Sequence, residues 1–188
     1  MHLQIIVGSV RKGRTSLRIA EWFRALAARH RDFSVELVDL KTWDLPMFDL
    51  AKPPAMGAYE DARQKEWAEK VAQGDAYVFV CPEYNHGYPA ALKNAVDYLF
   101  AEWHRKPAAF VSFGNAEGAR AVEQLRLVLI ELQMAPLATA LHIRDLGKKL
   151  DDSAFVGDDQ DAKRATAVLD DLSWWAAALG AARTRSAV

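Results

Sequence analysis

The 188 residues contain a single cysteine, Cys81, which excludes an intrachain disulfide and with it a disulfide-framed secreted scaffold. Neither sign of charge is in surplus: 24 Lys and Arg stand against 25 Asp and Glu, a formal charge of −1 with neutral histidines. Phosphate backbones are bound by clustered surplus cations, so nucleic acid is not expected as a partner. No apolar run approaches the ~20 residues that span a bilayer, and Met1–Gly8 enters a short apolar strand without a basic leader, so no membrane partner is expected either. His2, His30, His86, His104 and His142 lack metal-ligand spacing, so no metal site is expected. Repeats and low-complexity tracts are missing as well. What is present is ordinary globular composition, 51% hydrophobic and 26% charged, in a length that suits one cytoplasmic domain.

Three runs, Leu3–Gly8, Ala76–Cys81 and Ala108–Phe113, are nearly unbroken in apolar residues, the pattern of strands covered by helices on both faces. Two others alternate and read as sheet edges. Phe33, Val35 and Leu37 are separated by Ser34 and Glu36, and Leu137, Thr139 and Leu141 alternate with alanines before His142. Helical spacing lies between the strands, at Ile19, Phe23 and Leu26, then Leu92, Ala95, Val96 and Leu99, then Val122, Leu125, Leu129 and Leu132. A further helix is read at about 59–73, and Val168, Leu172, Trp175 and Leu179 close the chain. Alternating strand and helix predicts a three-layer α/β fold, a five-stranded parallel sheet with helices on both faces. The two edge strands give the order 2-1-3-4-5. From Arg183 to Val188 the periodicity stops, which leaves one domain over 1–182 and a frayed tail over 183–188.

In such a sheet ligands bind beyond the carboxyl ends of the strands, next to the point between the first and third strands where the order reverses. The loops Ser9–Ser16, Pro82–Tyr88 and Gly114–Gly118 are placed there. The first ends a strand and opens a helix, so free backbone N–H groups face an anion. Ser9, Thr15 and Ser16 add hydroxyls, and Arg11, Lys12 and Arg14 add charge, a set suited to a phosphate monoester. The alternative is that Thr15 or Ser16 only caps the helix and the cations are solvated. Gly8, Gly13, Arg14 and Thr15 nearly fit G-x-x-x-x-G-K-[ST], but Arg14 replaces the lysine that reaches the β/γ-phosphates, and the third strand ends Val80-Cys81-Pro82-Glu83 without an aspartate for Mg²⁺. Val10 likewise breaks G-x-G-x-x-G. The second loop, Pro82-Glu83-Tyr84-Asn85-His86-Gly87-Tyr88, has turn formers and an aromatic ahead of Pro89, placed to begin a helix. It suits the edge of a flat heterocycle or a purely structural turn.

Gly8-Ser9-x-Arg11, joined to Pro82-Glu83-Tyr84-Asn85 running into Leu92-Lys93-Asn94-Ala95 about 75 residues later, resembles the NADPH-dependent FMN reductase family. This flavodoxin-like group includes soluble quinone, azo-compound and chromate reductases. The resemblance extends from Met1 to about His142. It implies a noncovalent FMN, reduced by hydride from NADPH or NADH and reoxidised by a second substrate in a ping-pong reaction. The chemistry is then on the flavin, with no catalytic side chain. The acceptor is a small molecule: a quinone, flavin, azo compound or metal oxyanion. Ser9, Arg11 and Ser16, with Arg14 and Thr15, would hold the FMN phosphate. Pro82, Glu83, Tyr84 and Asn85 would line the isoalloxazine edge, mostly by backbone, with Gly87 allowing close approach. From the third loop Ser112, Gly114 and Asn115 are carried over. Phe113 lacks a phenol, the run has fewer glycines than the family pattern, and Glu117 is left out as a carboxylate that opposes the NADPH phosphate. The resemblance also implies a homodimer or homotetramer.

Two other readings stay open, a flavodoxin-type electron carrier without pyridine-nucleotide activity, against which the charge of −1 counts, and an NTPase resting on the Gly8/Gly13 spacing. Cys81 reads as core packing and not as a nucleophile, since no His with an Asn or Asp partner is placed beside it. His86 reads as a donor to flavin or substrate, or as a solvated loop residue. The apolar stretch 41–58 is long for a loop and reads as a pocket wall or a subunit contact. Trp174 and Trp175 suit an interface or the core.

Overall fold

The computed structural model describes residues 1–186. Its frame is β1 (His2–Val7), α1 (Thr15–Ala27), β2 (Ser34–Asp39), a single turn α2 (Leu40–Trp43), α3 (Ala62–Ala72), β3 (Ala76–Pro82), α4 (Ala90–Asp97), β4 (Pro107–Phe113), α5 (Ala119–Glu131), β5 (Ala135–His142) and α6 (Asp159–Ser186). The strands form one sheet in the order β2-β1-β3-β4-β5, and every pair is parallel. This is the expected flavodoxin-like order. β3 and β4 are buried along their whole length, whereas β2 and β5 are mostly half-buried; the alternation expected for β2 is not seen, since Val38 and not Val35 or Leu37 is its buried residue.

Two cores flank the sheet. On one face Ile19 and Phe23 of α1 and Val168 and Leu172 of α6 pack on Leu3, Ile5, Val78, Val80 and Val111. On the other, Trp67 of α3, Leu92 and Val96 of α4 and Val122 and Leu125 of α5 pack on Ile6, Tyr77, Phe79, Cys81 and Phe110. Alternate residues of each central strand serve opposite cores, so the strands have no polar face. Among the described residues no helix is long and apolar enough to cross a membrane.

α3 begins three residues after the expected Tyr59, where the Asp61 carboxylate accepts from the Gln64 N–H at 2.7 Å and caps the helix. Trp174 and Trp175 are exposed, at 65% and 38%, because α6 buries Ala165, Val168, Leu172 and Ala176 instead. α6 runs on through Ser186, into the 183–188 stretch expected to fray. Arg183 Nη1 donates to the Arg105 carbonyl at 2.7 Å and Nη2 reaches Asp75 at 3.5 Å, a polar anchor that apolar periodicity does not register. The last two positions of that expected tail, 187 and 188, lie outside the described residues.

Candidate active site

The carboxyl ends of β1, β3 and β4 lie side by side, Val7 opposite Val80 and Cys81 opposite Ser112, and bring the three loops together. Gly8 continues β1 by donating to the Val80 carbonyl at 3.0 Å. A Cβ on Gly8 would meet Leu92 Cδ2 at 3.0 Å and Val80 O at 3.2 Å, so a glycine lets the first loop leave the sheet this close to α4. The buried Ser9 hydroxyl is 2.6 Å from the Tyr84 hydroxyl and ties the first loop to the second. The Arg11 guanidinium lies over the Tyr84 ring, 5.5 Å from its centroid, and among the described residues it has no carboxylate partner.

Thr15 and Ser16 sit inside the first turn of α1, whose N-cap is Arg14 with no side-chain cap bond, so neither hydroxyl caps the helix. The Ser16 Oγ is buried without a hydrogen-bond partner. Arg14 stands apart from the phosphate set in which the sequence placed it. Its guanidinium is ion-paired with Asp39, and both side chains are nearly buried. Asp39 ends β2 directly opposite Val7, which makes it the nearest carboxylate to a side chain leaving the β1 loop.

The second loop is a tight hairpin. Tyr84 N–H donates to Gly87 O at 2.8 Å and Gly87 N–H to Tyr84 O at 3.1 Å, while Asn85 and His86 both take positive φ, 49° and 72°. Asn85 and His86 therefore project at the rim, and Gln124 of α5 steadies the turn by donating to the His86 carbonyl at 2.7 Å. The close approach at Gly87 is to this same helix, because a Cβ there would lie 3.0 Å from Gln124 Oε1. Pro82 is the buried last residue of β3, paired with Phe113, and stays within the sheet.

Ser112 lies beneath the third loop. Its hydroxyl donates to the Glu117 carbonyl at 2.8 Å and accepts from His142 Nδ1 at 2.7 Å, so it holds the turn from below and does not line the site. Burial, with Arg126 nearby, lowers the His142 pKa and favours the neutral ring. Gly118 has φ +77°, and a Cβ there would be 2.6 Å from Phe113 N, so this turn requires glycine. The Glu117 carboxylate, left out of the sequence set for its charge, is paired with Arg144 at 3.1 Å.

The space enclosed is a cleft of about 530 Å³ lined by Arg11, Glu83, Tyr84, Asn85, His86, Gly114, Asn115 and Arg120. Arg120 was not read from the sequence. It stands in the first turn of α5, directly after the third loop, and its Nε donates to Glu83 Oε1 at 2.7 Å with Nη2 on the same oxygen. The signal available was position, since the first turn of a helix that follows such a loop faces the site.

A flavin mononucleotide needs an anion site and a polar-edged slot. Ser16 Oγ without a partner and Arg11 without a counter-ion supply the first at the start of α1. The Glu83–His86 hairpin facing Gly114 and Asn115 supplies the second. The chain matches the NADPH-dependent FMN reductase family over residues 1–147. It belongs to that family. It is 42% identical over 141 residues to an NAD(P)H-dependent FMN reductase of Schizosaccharomyces pombe, covering 73% of this chain and 70% of the relative. To a quinone reductase of Pseudomonas putida it is 31% identical over 141 residues, 69% and 70% of the two chains. Its fold is shared with a flavoenzyme NAD(P)H:(acceptor) oxidoreductase from Paracoccus denitrificans, with a TM-score of 0.74 at 23% identity over 93% and 96% of the chains. The chain is thus an oxidoreductase whose cofactors are FMN and NAD(P)H.

In this FMN reductase the Asn94 of Leu92-Lys93-Asn94-Ala95 acts at a distance from the cleft. Its carboxamide accepts from Phe48 N–H at 2.8 Å and donates to Pro46 O at 2.7 Å, while Tyr98 OH donates to Pro46 O at 2.9 Å. These bonds strap the 41–58 loop to α4. The loop leaves Met47 and Met56 exposed and helps form an apolar groove of about 510 Å³ with Leu99, Phe100 and Leu132. Cys81 is fully buried, and burial raises its thiol pKa above the ordinary range, as core packing requires.

Proposed function

We propose that this reductase holds FMN noncovalently in the cleft between its three loops and works in two alternating half-reactions. NAD(P)H enters and leaves before a quinone, free flavin, azo compound or metal oxyanion takes the electrons. Bound FMN supplies the redox chemistry, taking two electrons and a proton from the reductant and delivering them to the acceptor. The chain's own residues bind and orient. Arg11, with the Ser9, Thr15 and Ser16 hydroxyls, receives the phosphate, and the backbone of Glu83–Asn85 with Gly114 and Asn115 borders the ring system. The observation that carries this reading is an orphaned Ser16 hydroxyl in the first turn of α1, in the same loop-to-helix segment as Arg11, which lines the open cleft and among the described residues has no carboxylate partner. Groups left unsatisfied in a folded protein mark a place where a ligand completes them. Ser112 and Pro82 support the loops from beneath, and Arg14 belongs to the scaffold.

The quinone reductase relative supports a quinone as one acceptor class. The exposed Met47 and Met56 beside the apolar groove support a homodimer or homotetramer built on that face. The test is an absorbance spectrum of the protein loaded with FMN and desalted, recorded before and after anaerobic NADPH. Retained flavin bands that bleach are expected. Bands that persist after NADPH would leave an electron carrier, and a protein that retains no flavin would turn attention to the nucleotide-like spacing of Gly8 and Gly13.

A further inference from the structure

Arg120 is the cleft cation that the FMN reading does not use. Its guanidinium directs both Nε and Nη2 to one oxygen of Glu83, Oε1. The Glu83 carboxylate is almost fully buried, at 4% exposure, while the Arg120 side chain is 41% exposed. The pair is therefore a dipole with its negative end in the protein and its positive end in the cleft. The Nη1 group makes no hydrogen bond to the described residues, so the Nη1/Nη2 edge of the fork faces open space. A guanidinium fixed along one edge keeps the other ready for an oxyanion, with its orientation set before the ligand arrives. Arg11 lines the same cleft from the first loop, whereas Glu117, the nearest carboxylate of the third loop, is neutralised by Arg144. Glu83 Oε1 is fully engaged by Arg120 and Oε2 is buried, so neither oxygen faces an incoming anion.

Resting on the FMN reading, we infer that Arg120, held by Glu83, is a specificity-determining residue that receives an anionic oxygen group, phosphate, sulfonate or carboxylate, on the molecule that meets the flavin. That group is carried by the reductant or by the acceptor. Glu83 acts through Arg120 as a positioning residue, and its Cβ lies 2.8 Å from where a Gly114 Cβ would stand, which fixes the pair against the third loop.

The experiment uses the FMN-loaded protein in its oxidised state without reductant, so that no turnover occurs, and reads equilibrium binding from the perturbed flavin spectrum. One arm compares NADP⁺ with NAD⁺. The other compares anthraquinone-2-sulfonate with the neutral 2-(hydroxymethyl)anthraquinone. Arg120→Ala alone strands a buried carboxylate, so the main variant is the double change Glu83→Gln with Arg120→Met, which removes both charges. It is expected to lower the charged-to-neutral affinity ratio about tenfold in at least one arm, with Arg120→Lys intermediate because the charge remains and the fork is lost. A change in the nucleotide arm assigns the anion to the reductant, and a change in the quinone arm assigns it to the acceptor. Ratios that stay fixed in both arms, or equal weakening of charged and neutral partners, would overturn the inference while leaving the FMN reading intact. Wild-type protein that retains no flavin would overturn that reading, and the inference with it.

Discussion

At the carboxyl end of the sheet Arg11 has no carboxylate partner and the Ser16 hydroxyl is buried with none at all. At the amino end Lys106 is buried more deeply than either arginine of the cleft. Yet its ammonium donates to Ala72 O at 3.0 Å and to the Tyr77 hydroxyl at 3.1 Å, and lies 3.5 Å from Val71 O. It closes the last turn of α3 as a lysine C-cap. Nearby, Asp75 accepts from His2 N–H at 2.8 Å and is reached by Arg183 of α6. The same strands thus finish in two ways. At the amino end Lys106 and Asp75 are each held by several partners, and that cluster is architecture. At the other, among the described residues, the Ser16 hydroxyl has no partner and Arg11 no carboxylate, and these are the groups to which we assign the FMN phosphate.

Arg14 is where this contrast is most easily broken, because it is architectural but sits at the functional end. Arg14→Ala strands the nearly buried Asp39 and is expected to lower unfolding free energy by about 3–5 kcal/mol in urea titrations, with little change in FMN affinity while the protein stays folded. A large loss of flavin affinity in the folded variant would return Arg14 to the binding set. Arg11→Ala should show the reverse, a loss of about 1.5–3 kcal/mol in FMN binding measured by flavin fluorescence, with the urea midpoint unmoved. Intact affinity would remove the first loop from the site.

The amino end is sharpened by pH. Burial, with Arg183 adding to it, lowers the Lys106 pKa from 10.5 to about 8. Between those values the unfolded chain binds a proton at Lys106 that the folded chain does not, so the Lys106 contribution to stability rises with pH across the window, by about 2 kcal/mol from pH 8 to 10. Denaturation at several pH values should show the stability difference between wild type and Lys106→Met growing by about that amount, against an opposing fall from the buried Cys81 thiol that both proteins share; a difference that stays fixed with pH would remove Lys106 as the source. The smallest expected effect belongs to Ser16→Ala. Removing a hydroxyl that bonds nothing should leave stability unchanged or slightly higher while weakening FMN binding by about 1 kcal/mol. Lower stability without weaker binding would make Ser16 a packing residue.

Strand order and the placement of the three loops were legible because unbroken apolar runs carry burial directly, as β3 and β4 show, while the edge strands are only partly buried. The partners of charged side chains were not. Asp39 reaches Arg14 across 25 positions and Glu83 reaches Arg120 across 37, and no local spacing encodes which carboxylate a guanidinium meets. The partner of Ser112 was hidden for the same reason, since His142 comes from the neighbouring strand. Asn94 matched a motif whose local spacing did not disclose its task of strapping a loop 46 residues upstream. Arg183 looked like the start of a tail because an anchor made of one guanidinium leaves no periodic trace.

Quinones are electrophiles that alkylate accessible thiolates, and a reductase that takes the quinone acceptor proposed above would meet them turn after turn. The chain's single sulfhydryl is enclosed between the sheet and α4, out of reach of solvent and held protonated by its surroundings. The protein therefore presents its reactants with no accessible thiol.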